Sequence, residues 1–109
     1  MASAPSDPKP VLGRVDRDGR LVAADPELAA LQAEAGSKVG ARLALPQIAA
    51  IAQLALKLGV PVSRPAVAAG SDHDVEMWVK AVPRGGEVDL SLERWTVRSA
   101  APAPLGSVV

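Results

Sequence analysis

Residues 75–97 read VEMWVKAVPRGGEVDLSLERWTV, and this segment is the most informative about the architecture of the chain. Apolar and polar side chains alternate on both sides of the central PRGG loop, as is typical of strands with one face on a core. If Val82 lies opposite Glu87, apolar residues oppose apolar ones on one face, and Lys80 opposes Asp89 on the other. The pattern therefore predicts an antiparallel hairpin in this register.

The chain before this hairpin predicts one more strand and a long helix. Period-two alternation extends over Val62–Ala69, which we expect to form a strand. Pro46–Leu58 repeats its apolar residues at helical spacing. The predicted core face of this helix consists of Ile48, Ile51, Leu54, Ala55 and Leu58. Leu56 lies near the polar stripe, where it is either a solitary exposed leucine or a contact for a partner.

The N-terminal part of the chain predicts a second hairpin followed directly by a helix. Val11–Val15 and residues 20–24 flank the sequence DRDG, whose Asp-Gly end favours a tight turn. The helix is expected to begin at Pro26, with Asp25 as its cap, and to end at Gly36. Its predicted buried side consists of Leu28, Leu31 and Ala35.

Composition argues against several kinds of function. The 109 residues carry no net charge, and acids and bases are interspersed, which disfavours a nucleic-acid or anionic-membrane surface. The absence of cysteine excludes disulfides, thiolate zinc sites and thiol nucleophiles. The most apolar stretch is too short to span a bilayer, and the first ten residues lack the regions of a signal peptide. We therefore expect a cytoplasmic protein.

One domain is expected, flanked by two arms. Residues 1–10 are rich in Pro, Ser and Ala and predict a flexible N-terminal arm. Residues 11–98 are predicted to form the domain, and residues 99–109 a linker or tail. Nearly half of all residues are apolar, but they are mostly Ala, Val and Leu. Such small side chains favour a tightly closed core over a large ligand cavity.

The order of these elements, two strands, two helices and three antiparallel strands, resembles the PAS domain, a sensory fold. PAS sequences often open with a hairpin ending in Asp-Gly, then place an Asn or Asp, often followed by Pro, before a helix with spaced leucines, and then two glycines before an apolar residue. The matching residues are Asp18-Gly19, Asp25-Pro26 with Leu28 and Leu31, and Gly36, Gly40 and Leu43. The resemblance covers residues 13–98. It implies an α+β fold with a PAS-like antiparallel five-stranded sheet and helices packed on one face.

The likeness is strongest to input domains of bacterial sensor histidine kinases, which act in two-component signal transduction. Kinase chemistry in such proteins lies in other domains, so the resemblance implies a non-catalytic module that forms a homodimer and signals to a separate output domain. Flavin photosensors and hydroxycinnamate-binding members need a cysteine, and haem-binding members use a histidine on the long helix. The chain has no cysteine, and its long helix has no histidine. We expect no cofactor, with a non-covalent small ligand as an open alternative.

The two tryptophans suggest an interaction surface. Trp78 alternates out of phase with the apolar residues of its strand, which places it on the face of the sheet away from the helices. The same parity puts Trp95 and Val97 on that outer face, unless a bulge near Arg94 reverses the strand end. The resulting apolar patch is either a dimer or inter-domain contact or is covered by the chain's own arms.

A ligand-binding sensor is the alternative function. Its pocket, between sheet and helices, would be lined by Ile48, Ile51, Ala52, Ala55, Val79, Leu90 and Leu92. A third hypothesis, a small enzyme on a cone-like α+β scaffold, needs a polar group inside that pocket. The inward sheet face shows none.

Asp72-His73-Asp74 is the cluster with the most chemical potential. A histidine between carboxylates can act as a base, bind a metal or sense pH. However, the cluster is predicted to lie in a turn between strands, where Gly, Ser and Asp are ordinary. We interpret it as a structural loop, with a pH-sensitive contact as the alternative, and we expect no metal site.

Overall fold

The computed structural model describes residues 9–70 and 73–99, which form one five-stranded sheet and two helices. The elements in chain order are β1 (Val11–Val15), β2 (Leu21–Ala24), α1 (Pro26–Glu34), α2 (Pro46–Leu58), β3 (Val62–Ala69), β4 (His73–Arg84) and β5 (Glu87–Ser99). The strand order is β2-β1-β5-β4-β3, and every neighbouring pair is antiparallel. This architecture confirms the predicted α+β fold.

The core lies between the helices and one face of the sheet. Alternating residues of each strand point into it, and the buried residues form a single hydrophobic cluster. Among the described residues, the helices cover one face of this antiparallel sheet; the opposite side is a second surface, which we call the outer face. The largest fully buried apolar side chains are Leu21, Leu28, Ile48, Leu90 and Leu92.

The β4–β5 hairpin differs from the predicted register by two residues. Arg84, rather than Val82, lies opposite Glu87, so the loop contains only Gly85 and Gly86. Both glycines have positive φ, 61° and 88°, as a two-residue turn that follows the strand twist requires. An even shift keeps every side chain on its predicted face but changes the pairs: Lys80 faces Ser91 instead of Asp89.

A β-bulge interrupts β5 and reverses the faces beyond it. Glu76 pairs with Thr96 but Trp78 pairs with Glu93, so Arg94 and Trp95 share one position opposite β4. Arg94 has φ 57°. Trp95 therefore turns toward the helices and packs against the core.

Val97 follows the same reversal. It pairs with the buried Val75 and so lies on the helix side, although 58% of its surface is exposed. The outer-face placement of Trp95 and Val97 is thus corrected by the bulge at Arg94, the exception under which the strand end reverses.

Both helices differ in detail from their predicted faces. On α1 the third buried residue is Gln32, whereas Ala35 is exposed. The Asp25 carboxylate does not cap α1; it accepts a hydrogen bond from the Leu12 amide at 2.9 Å, which joins the start of the helix to β1. On α2 Ala52 is buried while Leu58, beside the terminal Gly59, is 57% exposed. Within the described residues, no helix is long and apolar enough to cross a membrane.

Candidate interaction surface

The outer face of the sheet is centred on Trp78. Its cross-strand neighbours are Pro65 on β3 and Glu93 on β5. The indole Nε1 donates a hydrogen bond to Ser63 Oγ, which fixes the ring along β3. Even so, 37% of Trp78 remains exposed. The predicted outward position of this tryptophan is confirmed, and its role as a contact stays a prediction.

An open depression of about 450 Å³ lies beside this tryptophan. Its lining includes Pro65, Val67 and Trp78 together with Thr96 and Arg94. Val67 is exposed and pairs with Glu76, so it extends the apolar area of Trp78 along the sheet edge. The depression is broad and shallow, which suits a flat partner surface better than an enclosed small molecule.

A second depression of about 500 Å³ crosses β1, β5 and β4 on the same outer face. Leu12, half exposed, and Val82 supply its apolar part. Asp89 supplies its charged part, with Oδ1 2.9 Å from Arg14 Nε and Oδ2 2.8 Å from Arg84 Nε. The hydrogen bond from Arg14 and the charges of both arginines hold the pKa of Asp89 below its ordinary value of 3.8.

Both outer strands of the sheet are covered at their free edges. On β3 the Val67 amide donates to Gln47 Oε1 of α2 at 2.8 Å, and Pro65 has no amide to offer. On β2 the backbone of Leu21 bonds to the segment after α1: its amide donates to Ala41 and its carbonyl accepts from Gly40. These contacts occupy part of each free edge and discourage strand addition there.

The other predicted contact residues do not join this surface. Trp95 packs against the core, and Val97 lies on the helix side of the sheet. Leu56 on α2 is partly buried and packs against the core, so it is neither solitary nor on the outer face. Sequence reasoning missed Pro65 and Val67, although the alternation within β3 points both of them outward.

The seven side chains predicted to line a pocket form part of the closed core. Each is at most 6% exposed, and all belong to one cluster of packed apolar residues. These residues are Ile48, Ile51, Ala52, Ala55, Val79, Leu90 and Leu92. A third depression, of about 670 Å³, lies outside this core, on the polar side of α2 beside Gln53 and Lys57.

Gln32 is a buried polar residue that sequence reasoning missed. Its amide Nε2 is within 2.9–3.2 Å of the Arg42 and Lys38 carbonyls and Ser37 Oγ, and its Oε1 accepts from the Ala44 amide at 2.8 Å. One side chain thus organises the connection between α1 and α2. Gln32 lies four residues after the buried Leu28 and therefore on the same side of α1, which is the signal that could have identified it.

The histidine cluster is divided by the structure. Asp72 lies outside the described residues, and His73 is the first residue of β4 rather than part of a loop. His73 Nε2 lies 3.9 Å from Glu34 Oε2 at the end of α1. The described residues hold no group of three His, Cys, Asp or Glu side chains that could bind a metal ion.

No protein-family model matches this chain, and no curated protein matches it either.

Proposed function

We propose that this chain is a non-catalytic PAS-type sensory and dimerisation module of a bacterial signalling protein. The parent protein that we propose is a sensor histidine kinase. It acts in the cytoplasm and passes a signal to a separate output domain. Two features support the assignment: the motif order from Asp18-Gly19 to Leu43, and the strand order β2-β1-β5-β4-β3 with both helices inserted between β2 and β3.

The observation that carries the proposal is the exposed Trp78 at the centre of the outer face. A tryptophan has up to about 250 Å² to bury, and 37% of Trp78 is still accessible. Covering that remainder is worth about 2 kcal/mol per copy at about 25 cal/mol per Å². Leu12, Pro65 and Val67 add apolar area on the same face, so a second copy gains enough to offset part of the entropic cost of association.

The closed core favours signalling through a change in how the two copies of the dimer pack, rather than through a small-molecule ligand bound inside the domain. The seven residues of the alternative ligand pocket are buried against one another. In a module of this kind, a partner biases the population of two arrangements of the dimer, and the output domain responds to the difference.

Native mass spectrometry and sedimentation velocity of the purified chain test the proposal. We expect a concentration-dependent homodimer without added mass, and Trp78→Ala should dissociate it while leaving the fold intact. Leu58→Ala is the matched control, because it removes an exposed apolar side chain from the end of α2, off the outer face. A wild-type monomer at every concentration contradicts the dimerisation proposal. A reproducible adduct of small-molecule mass would establish the ligand-binding alternative instead.

A further inference from the structure

The outer-face side chains of β4 are sorted by charge around Trp78. Before the tryptophan come Asp74 and Glu76, and after it come Lys80 and Arg84. All of these residues occupy alternate positions of one strand and therefore share one face. The strand thus has an acidic half and a basic half with an exposed aromatic residue between them.

Two copies can stack these faces with their β4 strands parallel or antiparallel. With Trp78 against Trp78, parallel stacking sets Glu76 against the partner's Glu76 and Lys80 against the partner's Lys80, which is repulsive. Antiparallel stacking sets Glu76 of each copy against the partner's Lys80, twice over in a twofold dimer. Aligned packing of this kind is a common arrangement for two sheets.

We propose that two copies of this chain pack outer face to outer face with antiparallel β4 strands, centred on Trp78 and oriented by two Glu76–Lys80 ion pairs. This inference rests on the proposed dimerisation and specifies its geometry.

The ion pairs already present within the chain are compatible with this arrangement. Glu76 Oε2 lies 3.1 Å from Arg98 Nε, and both side chains are largely exposed. A carboxylate has two oxygens, so Glu76 can bind Arg98 and the partner's Lys80 together. Lys80 has no ion pair within the described residues, which leaves its ammonium available.

The area of the face predicts a weak dimer. The five strands hold 42 residues, each covering about 3.3 Å by about 4.8 Å of sheet, so the face measures on the order of 600 Å² per copy. Stable complexes bury about 800 Å² per partner. Association is therefore expected in the micromolar range, where the charge pattern decides the orientation and the apolar centre supplies most of the affinity.

Charge exchange tests the geometry. Glu76→Lys and Lys80→Glu should each weaken the homodimer about tenfold or more, since an exposed pair changes association by about two- to fivefold and two pairs become repulsive. An equimolar mixture of the two variants should form a heterodimer of near wild-type affinity, because both contacts then join a lysine of one copy to a glutamate of the other. The double variant E76K/K80E should recover its homodimer for the same reason. Sedimentation velocity at about 20 mM salt, where screening is weak, measures all four species.

Lys57→Glu is the matched control, since it reverses an exposed charge on α2, outside the outer face. It should leave association unchanged, and circular dichroism should show each variant folded. Two outcomes would contradict the antiparallel geometry without affecting the proposed dimerisation. In the first, the single variants have no effect; in the second, they weaken the dimer but neither the mixture nor the double variant restores it. A monomeric wild-type chain would instead overturn the proposed dimerisation itself.

Discussion

Leu28 of α1 occupies the space above Gly13 of β1, so closely that a Cβ at position 13 would lie 2.6 Å from Leu28 Cδ2. Gly13→Ala should therefore destabilise the domain by about 1–3 kcal/mol, as overpacking of a core does. Urea denaturation measures the loss. In a Leu28→Ala background the same substitution should cost little, because the clashing methyl group is gone. A full, additive penalty in that double variant would show that the contact does not limit position 13.

The network of Gln32 should be as sensitive as the apolar core. Gln32→Leu keeps the approximate volume but leaves the Ala44 amide without its side-chain acceptor and the Arg42 carbonyl with Ser37 Oγ as its one remaining side-chain donor. We expect a loss of at least about 2 kcal/mol in the free energy of unfolding. Hydrogen exchange at the Ala44 amide should also accelerate. Gln53→Leu, at an exposed position of α2, is the control and should change stability little.

The bulge in β5 is maintained at the expense of backbone strain at Arg94. A non-glycine residue at φ 57° costs about 1–2 kcal/mol of folding free energy. Glycine avoids this strain, but it loses more backbone entropy on folding, which cancels part of the gain. Arg94→Gly should therefore raise stability by about 0.5 kcal/mol, whereas the β-branched Arg94→Val should lower it. Thermal unfolding distinguishes the two. If both variants were destabilised equally, the positive φ would not be the determining feature of this position.

Asp89 should make the stability of the domain depend on acidity. Its pKa is lower in the folded chain than its ordinary value of 3.8, so its contribution is present above that value and is lost as the pH falls through the lower folded pKa. Asp89→Asn should thus be less stable than wild type at about pH 6, with the difference shrinking toward about pH 2. Urea denaturation across this range provides the comparison. A pH-independent difference would point to packing rather than to the arginine contacts.

The strands and helices could be predicted from the sequence, but the places where their periodicity is interrupted could not. Alternation in β4 predicted the outward position of Trp78, because side-chain direction in a regular strand follows from parity alone. The position of Trp95 depends on a bulge, which adds one residue and reverses parity without a distinct composition. Alternation alone could not detect the two-residue register shift, since it conserves the face of every residue, but the Gly85-Gly86 pair is a signal for the two-residue turn that the structure contains.

The hydrogen-bond partners of Gln32 could not be predicted from the sequence either. Its hydrogen bonds are to backbone groups of an irregular connection, whose path no periodicity describes. Local patterns report which way a side chain points, but they do not report which distant carbonyl it meets.

The covered edges of β2 and β3 have a consequence for how this domain behaves when it is crowded. Contacts between strand edges, whether head-to-tail or about a twofold axis, still leave a free edge at each end of the joined sheet and can therefore propagate into open-ended fibres. Gln47, Pro65 and the backbone bonds of Leu21 block that growth on both sides of the sheet. Contacts between outer faces are self-limiting, because two copies consume the surface that joins them. Under the proposed outer-face dimerisation, assembly therefore ends at two copies, whatever the concentration of the chain.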